Sequence, residues 1–294
     1  MVGVVSYGAY IPLHALSREL VAKAWDFPSV PGSKSVAGAD EDSVTMAVEA
    51  SMDCLAGLEP RDVDGVFFAT TTPPYAEKMS APTIAWALDM RKDVMTIDFT
   101  GSLRAGTTAM IAAYNTIRSG TARRILVAAA DCRMPEPESM YEFQFGDGAA
   151  AVLLGEEDGA AKIVDYYVVS DEFVGPWRKS KDSWVREFEA RHDVIYGYGR
   201  NVFEAVAGLM AKAGVKPEDV AKLVLYAPEP RSHVTVAQML GFKLEQLQDT
   251  LFLLLGVTGT PHSLIMLASA LETAKPGDRI IVAGAGDGGD AILL

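Results

Sequence analysis

A short basic segment, Trp177-Arg178-Lys179-Ser180-Lys181, lies in a chain whose formal net charge is −13. Guanidinium and ammonium groups bind phosphate oxygens, and an indole ring can stack on another planar ring. The segment is therefore a candidate site for an anionic ligand, with a solvated loop between two domains as the alternative. The overall charge argues against nucleic acid and anionic membranes as partners, because both require a basic face.

A glycine-rich segment near the end of the chain, Gly284-Ala285-Gly286-Asp287-Gly288-Gly289, fits the dinucleotide-binding pattern G-x-G-x-x-G and follows a predicted strand. That motif requires a helix directly after the glycines, because the helix N-terminus holds the pyrophosphate. Asp290 instead begins a short apolar segment typical of a strand. The dinucleotide interpretation therefore fails.

Two polar side chains precede predicted helices, where unpaired backbone N–H groups can face a ligand. Ser102 follows Gly101, which suits a tight turn, and a helix is predicted from about Ala105. Ser102 is a candidate catalytic residue, or alternatively a helix cap. His262 opens a second predicted helix and is either a catalytic candidate or a packed histidine. His233 is a weaker candidate of the same kind.

The two cysteines, Cys54 and Cys132, have the spacing of neither a disulfide framework nor a zinc site, so no metal is predicted. No apolar run approaches the roughly 18 residues that span a bilayer. The N-terminal residues lack the basic region and cleavage site of a signal peptide. We expect a cytoplasmic protein without a membrane segment.

The elements that must position these residues occur twice. Each half contains a helix, a Pro-Asp turn, an apolar strand, a second helix, a glycine-bearing turn into a third helix, a buried strand and a last strand after Asp-Gly. The matching segments occur in the same order in both halves: 58–69 with 215–226, 123–128 with 278–283, and 147–154 with 287–294.

This duplication predicts an α/β fold of two lobes, residues 1–159 and 160–294, with a boundary near Gly159. Continuous apolar strands that alternate with amphipathic helices indicate mostly parallel sheets covered on both faces. A ligand site is expected between the lobes.

Several segments resemble the archaeal-type hydroxymethylglutaryl-CoA synthases, which belong with ketoacyl-ACP synthase III in the thiolase superfamily. The resemblance implies a thiolase-like five-layered α-β-α-β-α fold from two pseudo-symmetric halves, a homodimer, and a coenzyme A thioester as substrate or ligand. The segments are Gly3 to Pro12, Asp40 to Ala50, Pro74-Tyr75-Ala76, Phe145 to Ala151 and Ala274 to Ile280.

The side chains that perform the family's Claisen condensation are not matched in this sequence. The family uses a cysteine that takes the acyl group, a histidine and an asparagine that polarise the second thioester, and a glutamate base. The Cys-x-Ala-Gly-Thr motif matches a segment that begins with Leu103, or with Ser102 in the cysteine position if the register slips by one. The histidine, asparagine and glutamate positions hold Ala227, Val257 and Thr71. The resemblance therefore implies a chain without cysteine-based condensation.

Other roles come from the resemblance alone. Tyr75, beside the position of the missing glutamate, is a candidate base or donor, or a packing residue. Gly286 is expected to supply a backbone N–H to an oxyanion hole. Trp177, Arg178 and Lys179 are expected near the CoA entrance, where they would contact its adenine and phosphates.

Three functions remain open. The chain could be a non-catalytic subunit in a complex with a small zinc-ribbon/OB-fold protein and an active thiolase. It could be a retro-aldolase on CoA thioesters with a similar OB-fold partner, because retro-aldol cleavage requires a base and an enolate site but no nucleophile. It could also be an acyl-CoA-binding or structural homodimer without chemistry.

Overall fold

The computed structural model describes residues 1–28 and 30–294. The strands are β1 (Gly3–Tyr10), β2 (His14–Ser17), β3 (Ser33–Val36), β4 (Gly65–Ala69), β5 (Met95–Phe99), β6 (Ile125–Asp131), β7 (Gly148–Gly155), β8 (Ala161–Lys162), β9 (Asp165–Ser170), β10 (Lys222–Leu225), β11 (Ile280–Ala285) and β12 (Gly288–Leu293). The α-helices are α1 (Arg18–Trp25), α2 (Ser43–Cys54), α3 (Ala81–Ala87), α4 (Ala105–Arg118), α5 (Met140–Gln144), α6 (Ala190–His192), α7 (Arg200–Ala213), α8 (Ser232–Met239), α9 (Phe252–Leu255) and α10 (His262–Leu271). A π-helical stretch, Asp193–Gly199, joins α6 to α7.

Two large sheets and three helical layers alternate through the protein, and β2 and β3 form a small separate sheet. The first sheet has the order β5-β4-β6-β7-β1-β8, and the second has the order β10-β11-β12-β9. Helices α4 and α10 lie between the sheets, α2 and α3 cover the outer face of the first sheet, and α7 and α8 cover that of the second. This is the predicted five-layered α-β-α-β-α architecture.

The central layer explains the composition of α10. Nine of its ten residues are buried, including His262 and Ser263, because a helix between two sheets has no solvent-facing side. Helix α4 is buried along most of its length for the same reason. Among the described residues, no helix combines the length and apolar character that crossing a membrane requires.

The two halves repeat one topology, as the sequence duplication predicts. In the first half β4 pairs in parallel with β6, β6 pairs antiparallel with β7, and β7 pairs antiparallel with β1. In the second half β10, β11, β12 and β9 pair in the same sequence of directions. The counterpart of β5 is reduced to a single parallel bridge between Leu223 and Leu247. The predicted pseudo-symmetry is therefore present.

The prediction of mostly parallel sheets is wrong, because each of the two large sheets is mixed. Only β5, β4 and β6 are mutually parallel in the first sheet, and only β10 and β11 in the second. Strands β11 and β12 are joined by the two residues Gly286 and Asp287. A connection of two residues allows only a hairpin, whereas a parallel crossover requires a dozen or more. The antiparallel pairing places this tight turn beside the start of α4.

Candidate functional site

A cavity of about 660 Å³ opens where the two halves meet. The segments after the carboxyl ends of β4, β6 and β10 contribute to its wall, together with the start of α4 and the turn between β11 and β12. Residues between Phe173 and Asn201 cover its remaining side. The carboxyl ends of strands are the usual position of ligand sites in α/β proteins, so the cavity is the candidate functional site.

The floor of the cavity joins the two halves through Ser102 and Gly286. The Ser102 Oγ donates to the Gly286 carbonyl oxygen at 2.8 Å, so this hydroxyl does not cap α4. The φ of Gly286 is +148°, and a Cβ there would lie 2.7 Å from the Ser102 Oγ and 2.9 Å from the Leu103 nitrogen. The close approach of the two segments therefore requires glycine at this position.

The Gly286 N–H donates to the Gly288 carbonyl oxygen at 3.1 Å. The predicted role of this N–H in an oxyanion hole would thus require the turn to change conformation. Leu103 and Ser102 both line the cavity, directly before α4 begins.

A buried ion pair lies beneath the floor. Arg104 Nη1 is 2.8 Å from Asp290 Oδ1, and the two side chains are 13% and 1% exposed. Arg104 also donates to the carbonyl oxygens of Val169 and Asp287, at 2.8 and 3.0 Å. The hydroxyl of Thr108 donates to the other Asp290 oxygen at 2.6 Å. This network fixes the start of α4 to β12.

A second buried carboxylate, Asp131 at the end of β6, connects the segment after β4 with the segment before α10. Oδ1 accepts the Thr71 N–H at 2.7 Å and the hydroxyls of Thr70 and Thr72 at 3.0 and 3.1 Å. Oδ2 accepts the Thr71 hydroxyl at 2.9 Å and the Thr260 N–H at 2.8 Å. Asp131 thereby positions Thr71 and Thr72, which line the cavity, against the start of α10.

The inner wall carries an arginine that packs on an aromatic ring. Arg133 is 7% exposed, lines the cavity, and has its guanidinium carbon 3.9 Å from the centroid of the Phe145 ring. The Phe145 ring stacks on Tyr141 with centroids 4.5 Å apart. Tyr226 lines the same cavity, and burial raises its pKa to about 12.

Asp193 is the most perturbed carboxyl group that lines the cavity. Burial and then the nearby Glu187 raise the pKa of Asp193 to about 6. Glu187 itself accepts the hydroxyl of Tyr141 at 2.8 Å. A carboxyl group with a pKa near 6 can exchange a proton at neutral pH, so Asp193 is a candidate acid or base.

The basic segment predicted to bind an anion lies at the cavity. Trp177 and Arg178 line it, and both are exposed. Two backbone hydrogen bonds between Trp177 and Arg186, at 2.9 and 2.8 Å, close the turn between them. Arg178 donates to the Thr71 carbonyl oxygen at 3.4 Å. Lys179 is exposed and lies outside the lining.

The structure places the other two predicted catalytic residues away from the cavity surface. Tyr75 is 54% exposed and holds the Lys78 ammonium 4.6 Å from its ring centroid. His262 is fully buried behind Tyr226, with ring centroids 5.8 Å apart. Its Nδ1 is 3.1 Å from the Thr258 hydroxyl, while Nε2 has no hydrogen-bond partner of normal geometry among the residues that the structure describes. His262 thus occupies the position of a packed histidine.

Replacing His262 with glutamine is expected to alter the pH dependence of stability. Burial lowers the pKa of His262 to about 4. The unfolded chain therefore binds the proton more readily between pH 4 and the ordinary value of 6.5, and His262 destabilises the fold as pH falls through that window. Asp193, with its raised pKa, acts in the opposite direction. Urea unfolding at pH 7 and pH 4.5 should show the wild type losing stability relative to His262→Gln. A pH-independent difference between the two proteins would contradict this.

Comparison with known proteins identifies the family. Models of 3-oxoacyl-[acyl-carrier-protein] synthase III and of its C-terminal part match residues 97–172 and 210–292. The hydroxymethylglutaryl-CoA synthase of Caldivirga maquilingensis is 33% identical over 100% of this chain and 87% of its own length. That of Pyrococcus horikoshii is 33% identical over 100% of this chain and 86% of its own length. The chain belongs to the hydroxymethylglutaryl-CoA synthase family.

Solved structures show the same fold. The 3-oxoacyl-[acyl-carrier-protein] synthase III of Aquifex aeolicus superposes with a TM-score of 0.91 at 23% identity, covering 100% of this chain and 99% of that one. A hydroxymethylglutaryl-CoA synthase complexed with CoA superposes with a TM-score of 0.89 at 18% identity, covering 99% and 81%. The predicted thiolase-like fold is confirmed.

The structure also locates the four positions at which the sequence resemblance implies a substitution. Leu103 precedes α4 and Thr71 follows β4, and both line the cavity. Ala227 follows Tyr226 just after β10, and Val257 is buried in the loop before α10. Cys54 and Cys132 lie outside the described lining. Burial raises the pKa of both thiols, to about 11 for Cys54.

Sequence reasoning missed Arg133, Asp131 and Asp193. Arg133 and Asp131 follow a continuous apolar strand, Ile125 to Ala130, and charged residues at the carboxyl end of a buried strand are a recognisable signal. Asp193 carries no comparable signal, because its burial depends on the irregular segment between β9 and α7.

Proposed function

We propose that the cavity binds a CoA thioester and that the chain processes or holds it without forming an acyl-cysteine. The observation that carries the proposal is Leu103 at the cavity-facing start of α4, in a described lining that contains no cysteine. Trp177 and Arg178 at the same cavity support CoA recognition, because indole can stack on adenine and guanidinium pairs with phosphate. The CoA complex of a structural neighbour agrees with this.

Incubation of the purified protein with acetyl-CoA is expected to produce no covalent acetyl adduct. A leucine has no nucleophilic atom, and the Ser102 hydroxyl donates its proton to the Gly286 carbonyl oxygen, which is not a general base. Intact-mass spectrometry measures the result, with a cysteine-bearing synthase of the family as the positive control. An acetyl group located on Ser102 by peptide mapping would refute the proposal.

Butyryl-CoA is expected to bind, and Arg178→Gln to weaken its affinity about tenfold through loss of a charged contact to phosphate. Isothermal titration calorimetry measures both affinities. Arg123→Gln is the matched control, because Arg123 is exposed and precedes β6 at the end opposite the cavity. If Arg178→Gln binds butyryl-CoA as tightly as the control does, Arg178 is not part of the CoA site.

Retro-aldol cleavage of a β-hydroxyacyl-CoA is the second candidate, and Asp193 favours it. This reaction requires a base for the hydroxyl proton, and a pKa of about 6 suits that role. The assay follows release of a shorter acyl-CoA and a carbonyl compound. The zinc-ribbon/OB-fold partner that the family resemblance implies belongs to this proposal, and the assay is best run with and without it. Absence of cleavage in both cases favours a non-catalytic subunit.

A further inference from the structure

Tyr226 lies where the sequence resemblance implies that the condensation residues are replaced. It follows β10 and directly precedes Ala227, which stands in the position of the histidine. Its ring belongs to one apolar cluster with Val257, in the position of the asparagine, and with Leu103, in that of the cysteine. Alanine, valine and leucine side chains carry no hydrogen-bond donor. Tyr226 therefore brings a phenol to a centre whose other side chains cannot polarise a thioester.

The hydroxyl of Tyr226 is available to a ligand. The residue is 4% exposed and forms part of the cavity wall. Its hydroxyl forms no hydrogen bond with a protein group among the residues that the structure describes. A largely buried hydroxyl without an acceptor is costly unless water or a ligand supplies one. The ring is held in place by His262, which it meets edge-on with centroids 5.8 Å apart.

Other hydroxyls of the cavity wall do not offer their protons to a ligand. Three of them already donate to acceptors within the protein: that of Ser102 to the Gly286 carbonyl oxygen, that of Thr71 to Asp131 and that of Tyr141 to Glu187. Tyr198, whose ring centroid lies 6.4 Å from that of Tyr226, has a fully buried hydroxyl. Tyr226 thus differs from these four groups in having a free donor at the cavity.

The protonation state of Tyr226 suits a donor that keeps its proton. Burial raises its pKa to about 12, while the positive charge of Arg133 opposes that rise. The phenol is therefore neutral at physiological pH and retains its O–H. Because Arg133 favours negative charge on the phenol oxygen, it also makes the O–H a stronger donor. Such a group stabilises charge that develops on an acceptor oxygen without transferring a proton to it.

We propose that the Tyr226 hydroxyl donates a hydrogen bond to the thioester carbonyl oxygen of the bound CoA ligand. This rests on the proposed binding of CoA thioesters in the cavity. In retro-aldol cleavage, Asp193 accepts the β-hydroxyl proton as the bond between Cα and Cβ breaks and the β-carbon becomes a carbonyl. The electron pair moves into the thioester as an enolate, whose oxygen accepts the Tyr226 hydrogen bond. The enolate Cα then takes the proton back from Asp193, so no further reactant is consumed.

The vibrational frequency of the bound carbonyl tests the contact directly. Butyryl-CoA labelled with ¹³C at its carbonyl is bound to the wild type and to Tyr226→Phe, and their isotope-edited infrared spectra are compared. A donor on the carbonyl oxygen weakens the C=O bond, so the labelled stretch is expected at a higher frequency in Tyr226→Phe. The calorimetric affinity of this variant is expected to fall by about tenfold or less, as for loss of one neutral hydrogen bond.

Tyr166→Phe is the matched control, because the Tyr166 hydroxyl bonds Asn115 outside the cavity lining. Its carbonyl frequency is expected to equal that of the wild type. Equal frequencies in the wild type and in a Tyr226→Phe protein that is folded by circular dichroism overturn the assignment and leave the proposed function standing. A change that occurs in Tyr198→Phe or Arg133→Gln but not in Tyr226→Phe also overturns it. Failure of butyryl-CoA to bind the wild type overturns both.

Kinetics extend the test to catalysis in a wild type that cleaves a β-hydroxyacyl-CoA. Tyr226→Phe is then expected to lower kcat about a hundredfold, the effect of removing one donor to a developing oxyanion, with a smaller change in KM. A variant that changes only KM contradicts the role of Tyr226 at the enolate oxygen.

Discussion

Replacement of Arg104 by methionine is expected to lower the free energy of unfolding by about 3 kcal/mol, within the range for breaking a buried ion pair. Methionine retains much of the apolar stem but leaves the Asp290 carboxylate, 1% exposed, without its cation. Three donated contacts are lost together, to Asp290 and to the carbonyls of Val169 and Asp287. Urea unfolding followed by circular dichroism at pH 7 measures the change.

The pH dependence of this loss in the free energy of unfolding identifies its cause. Burial already raises the pKa of Asp290, while Arg104 and two threonine hydroxyls oppose that rise. Removing Arg104 raises the pKa further. A carboxyl group whose folded pKa exceeds its unfolded pKa costs stability as pH rises through the folded value. The deficit of Arg104→Met should therefore shrink between pH 7 and pH 4.

Arg61→Met is the matched control, because it breaks an ion pair with Asp89 in which the side chains are 61% and 85% exposed. Such exposed pairs contribute about 0–1 kcal/mol. Equal losses in the two variants, or a deficit in Arg104→Met that does not vary with pH, would mean that the buried network contributes little to the stability of the fold.

The layered fold was predictable because its determinants are local and repeated. The predicted helix from about Ala105 to Arg118 matches α4, and the predicted strand from Ile125 is β6, extended by one residue to Asp131. The directions of the strands were harder to predict from the sequence, since they depend on the lengths of connections such as the two residues between β11 and β12. Periodicity reports which face is buried but not which neighbour a strand pairs with.

The site was predictable only where a motif marks it. Ser102, Trp177, Arg178 and Gly286 all line the cavity, and each lies in a segment with distinctive composition. The contact between Arg133 and the Phe145 ring, 12 positions later in the chain, is a property that only the packed structure shows. Burial of His262 behind Tyr226 is likewise a tertiary property that its sequence position before α10 does not reveal.

Asp131→Asn is expected to destabilise the fold by about 3 kcal/mol despite its nearly identical shape. The carboxylate accepts a backbone N–H on each oxygen, from Thr71 at 2.7 Å and from Thr260 at 2.8 Å. An amide has only one acceptor oxygen, so its NH₂ group must face one of these two N–H groups. Whichever orientation is adopted, a donor opposes a donor in a fully buried site.

The same substitution should weaken ligand binding as well as stability, because Asp131 holds Thr71 and Thr72 in the cavity wall. We expect the affinity for butyryl-CoA to fall severalfold in calorimetric titrations on the folded variant. Asp53→Asn is the control, since this exposed carboxylate accepts a single N–H from Ala9 at 3.1 Å and its loss should cost under about 1 kcal/mol. A stability loss of that small size in Asp131→Asn would show that the threonine loop is held by contacts other than this carboxylate. If the affinity is unchanged while the stability falls strongly, Asp131 anchors α10 but does not determine the shape of the cavity wall.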